Sequence, residues 1–137
     1  MKKSINISWK QNMAFEADID GHKLLMDAES NVGGENLGPT PKPLLMVSLG
    51  GCTGMDVISI ARKMKQEIES FDIEVVGDFT EEHPVQYVGL KLIYTFKGKD
   101  LNPAKLEKAI TLSQDRYCGV TATLQPKVKI DYEIVIL

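Results

Sequence analysis

Three short segments near the start of the chain alternate apolar and polar residues, the pattern of strands with one buried face. They cover residues 4–9, 13–19 and 22–26, and Asp20-Gly21 between the last two is typical of a hairpin turn. This pattern predicts an antiparallel meander. Gly, Asn, Glu and Pro dominate residues 28–40, which indicates a long loop before the next element.

A continuous apolar run begins at Leu44, after two prolines, Pro41 and Pro43, that suit the first turn of a helix. Its apolar residues cover every face of the predicted helix, so we expect the helix to be buried centrally. The uncharged stretch 43–55 is shorter than the about 20 residues that cross a bilayer, so we expect no membrane span. One chain cannot easily cover such a helix, which predicts a homodimer.

The second half of the chain alternates strand and helix patterns. Residues 72–80 and 86–96 are predicted strands joined by a short turn, and residues 127–137 form a final strand. Asn102 and Pro103 suit an N-cap and first helical position, which predicts a helix that continues to about residue 115. The order indicates an α+β fold in which antiparallel sheets pack on two central helices.

Composition narrows the class of protein. The chain has 137 residues, 43% of them hydrophobic, which indicates one globular domain over residues 1–137. Its net charge of −3 argues against a nucleic-acid partner, because phosphate binding depends on clustered Lys and Arg. No apolar signal segment follows the first residues, which predicts a cytoplasmic location. In that reducing compartment, two cysteines suggest chemistry rather than a structural disulfide.

The first cysteine, Cys52, lies within Gly50-Gly51-Cys52-Thr53-Gly54 in the predicted buried helix. Each glycine in a helix costs about 1 kcal/mol relative to Ala. We therefore expect these glycines to permit a close approach of another element or to leave space beside the sulfur. The alternative is that Cys52 is simply a small buried apolar residue, as most free cysteines are.

The second cysteine, Cys118, follows Arg116 at the end of the second predicted helix. Backbone amides at a helix start and a nearby guanidinium both lower a thiol pKa. Because 66 residues separate the two cysteines, they form neither a C-x-x-C motif nor a typical zinc pair. His22 and His83 are distant in sequence, so we expect neither a metal nor another cofactor.

The combination of Gly50-Gly51-Cys52-Thr53 with the downstream Tyr-Cys-Gly-Val-Thr of residues 117–121 resembles the OsmC/Ohr family of osmotically inducible and organic hydroperoxide resistance proteins. The resemblance covers nearly the whole chain and is closest to the YhfA-like branch. It implies an intertwined homodimer with active sites at the subunit interface. It also implies thiol-dependent reduction of organic hydroperoxides, with Cys52 peroxidatic, Cys118 resolving, and an external dithiol as reductant.

Two positions depart from the pattern of the family. Its hydroperoxide-reducing members hold an Arg near the N-terminal strands and a Glu ten residues before the peroxidatic cysteine. Here the matching positions hold Lys10-Gln11-Asn12 and Lys42. Asp56, one helical turn from Cys52, is expected to raise the pKa of the thiol if it is close and ionised. The alternative function is therefore a slow redox-sensing or small-molecule-binding dimer on the same fold.

Overall fold

An antiparallel meander of three strands opens the chain in a computed structural model that describes residues 1–137. The strands are β1 (Asn6–Gln11), β2 (Ala14–Ile19) and β3 (His22–Met26). Gly21, at φ 86°, lies in the turn before β3, in the left-handed region that glycine adopts readily. These strands confirm the predicted meander, and they belong to the first of two compact units, Met1–Leu45 and Met46–Leu137.

A buried carboxylate organises the loop that follows β3. The Asp27 side chain accepts hydrogen bonds from the backbone amides of Ala28, Glu35 and Leu37, at 2.7, 3.1 and 3.2 Å. Burial raises the pKa of Asp27, but the three amide donors outweigh burial, so the pKa is lowered overall. The predicted long loop thus has a defined conformation, which includes a short 3-10 turn at Ser30–Val32.

The long helix α1 (Leu44–Lys63) begins directly after Pro43, as the sequence predicts. A single chain does not bury every face of this helix, and incomplete cover of this kind was the reason for predicting a second subunit. Only one stripe is buried, at positions four residues apart: Leu49, Thr53, Val57 and Ala61. Val47 and Met55, on other faces, are 65% and 74% exposed. Intramolecular packing therefore leaves a large apolar surface of α1 uncovered.

The full length of α1 also differs from the expectation. Its 20 residues are apolar and long enough to cross a membrane, judged by length and composition alone. The sequence prediction that the apolar stretch is too short for a membrane span was based on residues 43–55 alone. The helix itself continues past Asp56 to Lys63. Since its buried stripe contributes Leu49, Val57 and Ala61 to the main hydrophobic core, α1 has the character of a core helix.

A second sheet of three strands lies in the Met46–Leu137 unit. Its strands are β4 (Glu67–Phe79), β5 (Tyr87–Lys99) and β6 (Lys129–Ile136), in that order across the sheet. The β4–β5 pair is antiparallel, as predicted. The β5–β6 pair is parallel, so this sheet is mixed rather than antiparallel. A parallel pair requires a long crossover connection, and the chain supplies one between residues 100 and 128.

The crossover contains α2 (Pro103–Leu112), a π-helical turn (Ser113–Tyr117) and α3 (Gly119–Leu124). The predicted cap is confirmed, because the Asn102 side chain accepts hydrogen bonds from the amides of Ala104 and Lys105. The π-helical turn replaces the last turn of the predicted helix. Such turns are rare and frequent at functional sites.

Helices and sheet share one core. Leu49 and Val57 of α1, Leu92 and Phe96 of β5, and Leu106 of α2 belong to one cluster of fully buried side chains. This packing confirms the predicted α+β architecture.

Two of the three glycines around Cys52 face the sheet. A Cβ on Gly50 would lie 3.1 Å from Val75, and one on Gly54 would lie 3.0 Å from Ile73, so these glycines allow the close approach expected from the sequence. A Cβ on Gly51 would meet no atom within 4 Å.

Candidate functional site

The fold brings together the two cysteines that are distant in sequence. Cys52 lies in α1, and Cys118 lies between the π-helical turn and α3. The two sulfur atoms and a carboxylate oxygen of Asp56 all lie within 4.8 Å of one another. Both cysteines are free thiols; Cys118 is buried, and Cys52 and Asp56 are partly exposed. The arrangement is therefore a thiol pair with an adjacent carboxylate.

Backbone amides of α3 point at both sulfurs. Cys118 is the N-cap of α3, and its sulfur accepts a hydrogen bond from the amide of Thr121 at 3.4 Å. The amide of Val120 donates to the sulfur of Cys52. The backbone of Cys118 is itself held by a 2.8 Å hydrogen bond from its amide to the carbonyl of Ser113. These contacts orient the two thiols toward each other.

The environment of Cys52 disfavours its thiolate. Burial raises the pKa of Cys52, and so do the hydrogen bond with the Cys118 thiol and the negative charge of Asp56. The Val120 amide acts in the opposite direction, but the pKa stays above its usual value. The effect of Asp56 expected from the sequence is thus confirmed in direction, because its charge raises the pKa of Cys52.

A buried hydrogen-bond network lies beside the thiols. Its central atom is Oγ1 of Thr53, which lies 2.7 Å from the hydroxyl of Tyr94 and 2.8 Å from that of Ser113. Ser113 donates in turn to Asp56 Oδ2 at 2.9 Å. The carboxylate at the thiol pair is therefore positioned by side chains from three elements.

Gln114 closes the other side of this network. Its Nε2 donates to Thr53 at 3.1 Å and to the Tyr94 hydroxyl at 2.9 Å, and its Oε1 accepts from Thr121 at 3.2 Å. No buried side-chain nitrogen or oxygen in the chain lacks a hydrogen-bond partner. The sequence did not single out Gln114 or Tyr94, because their partners come from distant parts of the chain. Polar residues inside otherwise apolar helical stripes, such as Thr53 and Ser113, were the available signal.

A cleft of about 550 Å³ borders the site. Asp56 belongs both to the cleft and to the thiol cluster. The other lining residues, of which all but Ser59 are apolar or amphipathic, are Met55, Ser59, Ile60, Lys63, Leu112 and Tyr117. The cleft is therefore large enough for a small ligand with an apolar body.

The other candidate residues lie in different parts of the chain. The guanidinium of Arg116 lies 5.5 Å from the centre of the Tyr117 ring, a cation–π contact. Lys10 pairs with Glu16 at 3.7 Å within the first unit, to which Lys42 also belongs. His22 in β3 and His83 in the β4–β5 turn are both exposed.

Comparisons with known proteins agree with this architecture. A model of the OsmC-like protein family matches residues 33–133. Protein YhfA of Escherichia coli K12 is 30% identical over 132 residues, which cover 94% of this chain and 96% of YhfA. A hypothetical protein from Aquifex aeolicus VF5 is 29% identical with a TM-score of 0.84, over 100% of this chain and 98% of that protein.

One hydroperoxide-related protein shares the fold at lower identity. The organic hydroperoxide resistance protein OhrB of Bacillus subtilis superposes with a TM-score of 0.68 at 16% identity, over 98% of each chain. The resemblance found in the sequence is thus confirmed by the family match, by YhfA and by the fold. This chain belongs to the OsmC-like protein family.

Proposed function

We propose that the protein reduces organic hydroperoxides with its thiol pair, Cys52 acting as the peroxidatic and Cys118 as the resolving cysteine. The observation that carries this proposal is the distance within 4.8 Å between two free sulfurs and Asp56. The organic hydroperoxide resistance protein of Bacillus subtilis, which has the same fold, supports this class of substrate. The protein belongs to a family with a soluble fold, and we retain the prediction of a cytoplasmic location.

The first step transfers one oxygen atom to Cys52. The Cys52 thiolate attacks the outer oxygen of the hydroperoxide, the O–O bond breaks, and the alcohol leaves with a proton. The products are a sulfenic acid on Cys52 and one molecule of alcohol. Because Cys52 is partly exposed whereas Cys118 is 2% exposed, Cys52 is the thiol that a peroxide reaches first.

The second step forms the disulfide. The sulfur of Cys118 attacks the sulfur of the Cys52 sulfenic acid, an S–S bond forms, and the hydroxyl group leaves as water. An external dithiol then reduces the disulfide by two thiol–disulfide exchanges and becomes oxidised itself. The Thr121 amide, 3.4 Å from the sulfur of Cys118, supports a developing negative charge on that atom.

The apolar surface of α1 supports the predicted homodimer. Val47 and Met55 are largely exposed, as are Ile7 and Trp9 of β1, at 58% and 64%. Exposed apolar surfaces of this extent mark interaction sites in soluble proteins. A second copy of the chain is the partner that the family resemblance implies.

The test is a thiol titration of the reduced protein before and after one equivalent of cumene hydroperoxide. Loss of both thiols as an intramolecular disulfide supports the proposal. Cys52→Ser should abolish peroxide reduction, whereas Cys118→Ser should permit one oxidation per site and leave Cys52 as a sulfenic acid. Normal turnover of Cys118→Ser with a dithiol would refute the resolving role.

A second candidate function is a slow redox sensor or small-molecule-binding dimer. The raised pKa of Cys52 favours it, because a neutral thiol reacts slowly with peroxides. The sequence departures also favour a sensor or binding function. The family's Arg is replaced by Lys10-Gln11-Asn12 and its Glu by Lys42. Steady-state consumption of peroxide in the presence of excess dithiol distinguishes the two functions, since a sensor would form the disulfide without sustained turnover.

A further inference from the structure

We propose that the reduced thiols of Cys52 and Cys118, together with the carboxylate of Asp56, bind one soft divalent cation of the zinc type. The sequence alone indicated no metal site, because only two sulfurs and two distant histidines were considered. The structure adds a third donor at the right place, since one atom from each of these residues lies within 4.8 Å of the other two. The inference does not depend on peroxide reduction.

The spacing of the donors suits a tetrahedral ion. Zinc–sulfur bonds of about 2.3 Å and zinc–oxygen bonds of about 2.0–2.2 Å place tetrahedral ligand atoms roughly 3.5–3.8 Å apart. Donors that lie within 4.8 Å therefore need to close by at most about 1.3 Å. Thiolates select soft or borderline cations, so Zn²⁺ is favoured over Mg²⁺ or Ca²⁺.

The Asp56 carboxylate is held by a hydrogen bond from a neighbouring side chain, as carboxylate ligands in metal sites usually are. Ser113 donates to Asp56 Oδ2 at 2.9 Å, and the Ser113 hydroxyl is held by fully buried Thr53 at 2.8 Å. Hydrogen bonds of this kind orient ligating groups, and their loss typically costs 10–100-fold in metal affinity. The amides of Val120 and Thr121 donate to the two sulfurs and so hold both donor atoms in place beside the carboxylate.

Charge and access are also compatible with an ion. Two neutral thiols lose two protons to solvent when one divalent cation binds, so the net charge of this partly buried site does not change. Asp56 also lines the 550 Å³ cleft, which allows water to occupy a fourth position on the ion. A Cys52–Cys118 disulfide offers no thiolate, so cation binding and thiol oxidation exclude each other.

Anaerobic titration of the reduced protein with Co²⁺ tests the proposal. We expect thiolate-to-cobalt absorption in the near ultraviolet that saturates at one ion per chain, releases two protons, and disappears when Zn²⁺ is added. Oxidation of the thiols with diamide should prevent binding. Absence of this absorption, or binding that persists unchanged in the oxidised protein, would overturn the proposal, whether or not the protein reduces peroxides.

Variants test two of the three ligands, Cys118 and Asp56. Cys118→Ser should remove most of the absorption, and Asp56→Asn should keep it but weaken binding at least about tenfold. Asp56→Glu should recover part of that affinity, whereas Asp72→Asn, at an exposed position of β4, should bind Co²⁺ as the wild type does. Circular dichroism checks that each variant is folded, and the glutamate variant provides the test if the asparagine variant is not. Equal affinity of wild type and Asp56→Asn would exclude the carboxylate.

Discussion

The buried network beside the thiols makes Thr53 a sensitive position for stability. Thr53 is 0% exposed, and its Oγ1 contacts the hydroxyls of Tyr94 and Ser113 and the amide nitrogen of Gln114. Thr53→Val keeps the shape of the side chain and removes all three contacts. Each net hydrogen bond contributes about 0.5–1.5 kcal/mol, so three such bonds correspond to a fall of about 1.5–4.5 kcal/mol in the free energy of unfolding.

The upper part of this range is not expected, because the partners of Thr53 keep other contacts. Tyr94 still accepts from Gln114 at 2.9 Å, and Ser113 still donates to Asp56. Urea unfolding of the reduced protein at one chain concentration measures the change. Thr123→Val is a matched control, because its hydroxyl is exposed and bonds only the Gly119 carbonyl; it should stay within about 0.5 kcal/mol of the wild type. A loss below about 1 kcal/mol for Thr53→Val would refute the reasoning.

Three further predictions concern reactivity, assembly and titration. Because the pKa of Cys52 is raised, the rate at which Cys52 is alkylated should climb from pH 6 to pH 9. Asp56→Asn should shift this pH profile to lower pH, since it removes a charge that raises the pKa. A flat wild-type profile would contradict the raised pKa. Met55→Lys, on the exposed face of α1, should convert a dimer into a monomer in sedimentation experiments. A wild-type protein that sediments as a monomer at micromolar concentration would refute the predicted homodimer. The hydrogen bond from Tyr132 to Glu107 at 2.7 Å raises the pKa of Tyr132 to about 12. Glu107→Gln should therefore lower the pH at which the ultraviolet absorption of this tyrosine changes. An unchanged transition pH would exclude the contact.

Local patterns in the sequence predicted most elements but not all of their limits. The Asn102 cap and the β1–β3 meander follow from neighbouring residues alone, so they were predicted correctly. The start of β4 at Glu67 was missed, because the charged residues after Ala61 suit a solvent-exposed helix end as well as a strand. The parallel direction of β6 depends on the path of the crossover, which no local pattern encodes.

The site shows the same division between local and distant information. Asp56 was identified from its helical spacing to Cys52, since residues four apart share a helix face. The pairing of Cys52 with Cys118 came from the family resemblance. The contacts of Thr53 with Tyr94 and Ser113 join α1, β5 and the π-helical turn, so they arise only when the chain is folded.

The long separation between the cysteines links the redox state to the conformational entropy of the chain. A Cys52–Cys118 disulfide would close a loop of about 66 residues and restrict the unfolded chain, an effect of about 4 kcal/mol in the loop-closure description. The same bond would tie α1 to the crossover that leads into β6. The oxidised protein would then resist heat and proteolysis better than the reduced one, so a cell that reduces the thiol pair would also shorten the lifetime of the protein.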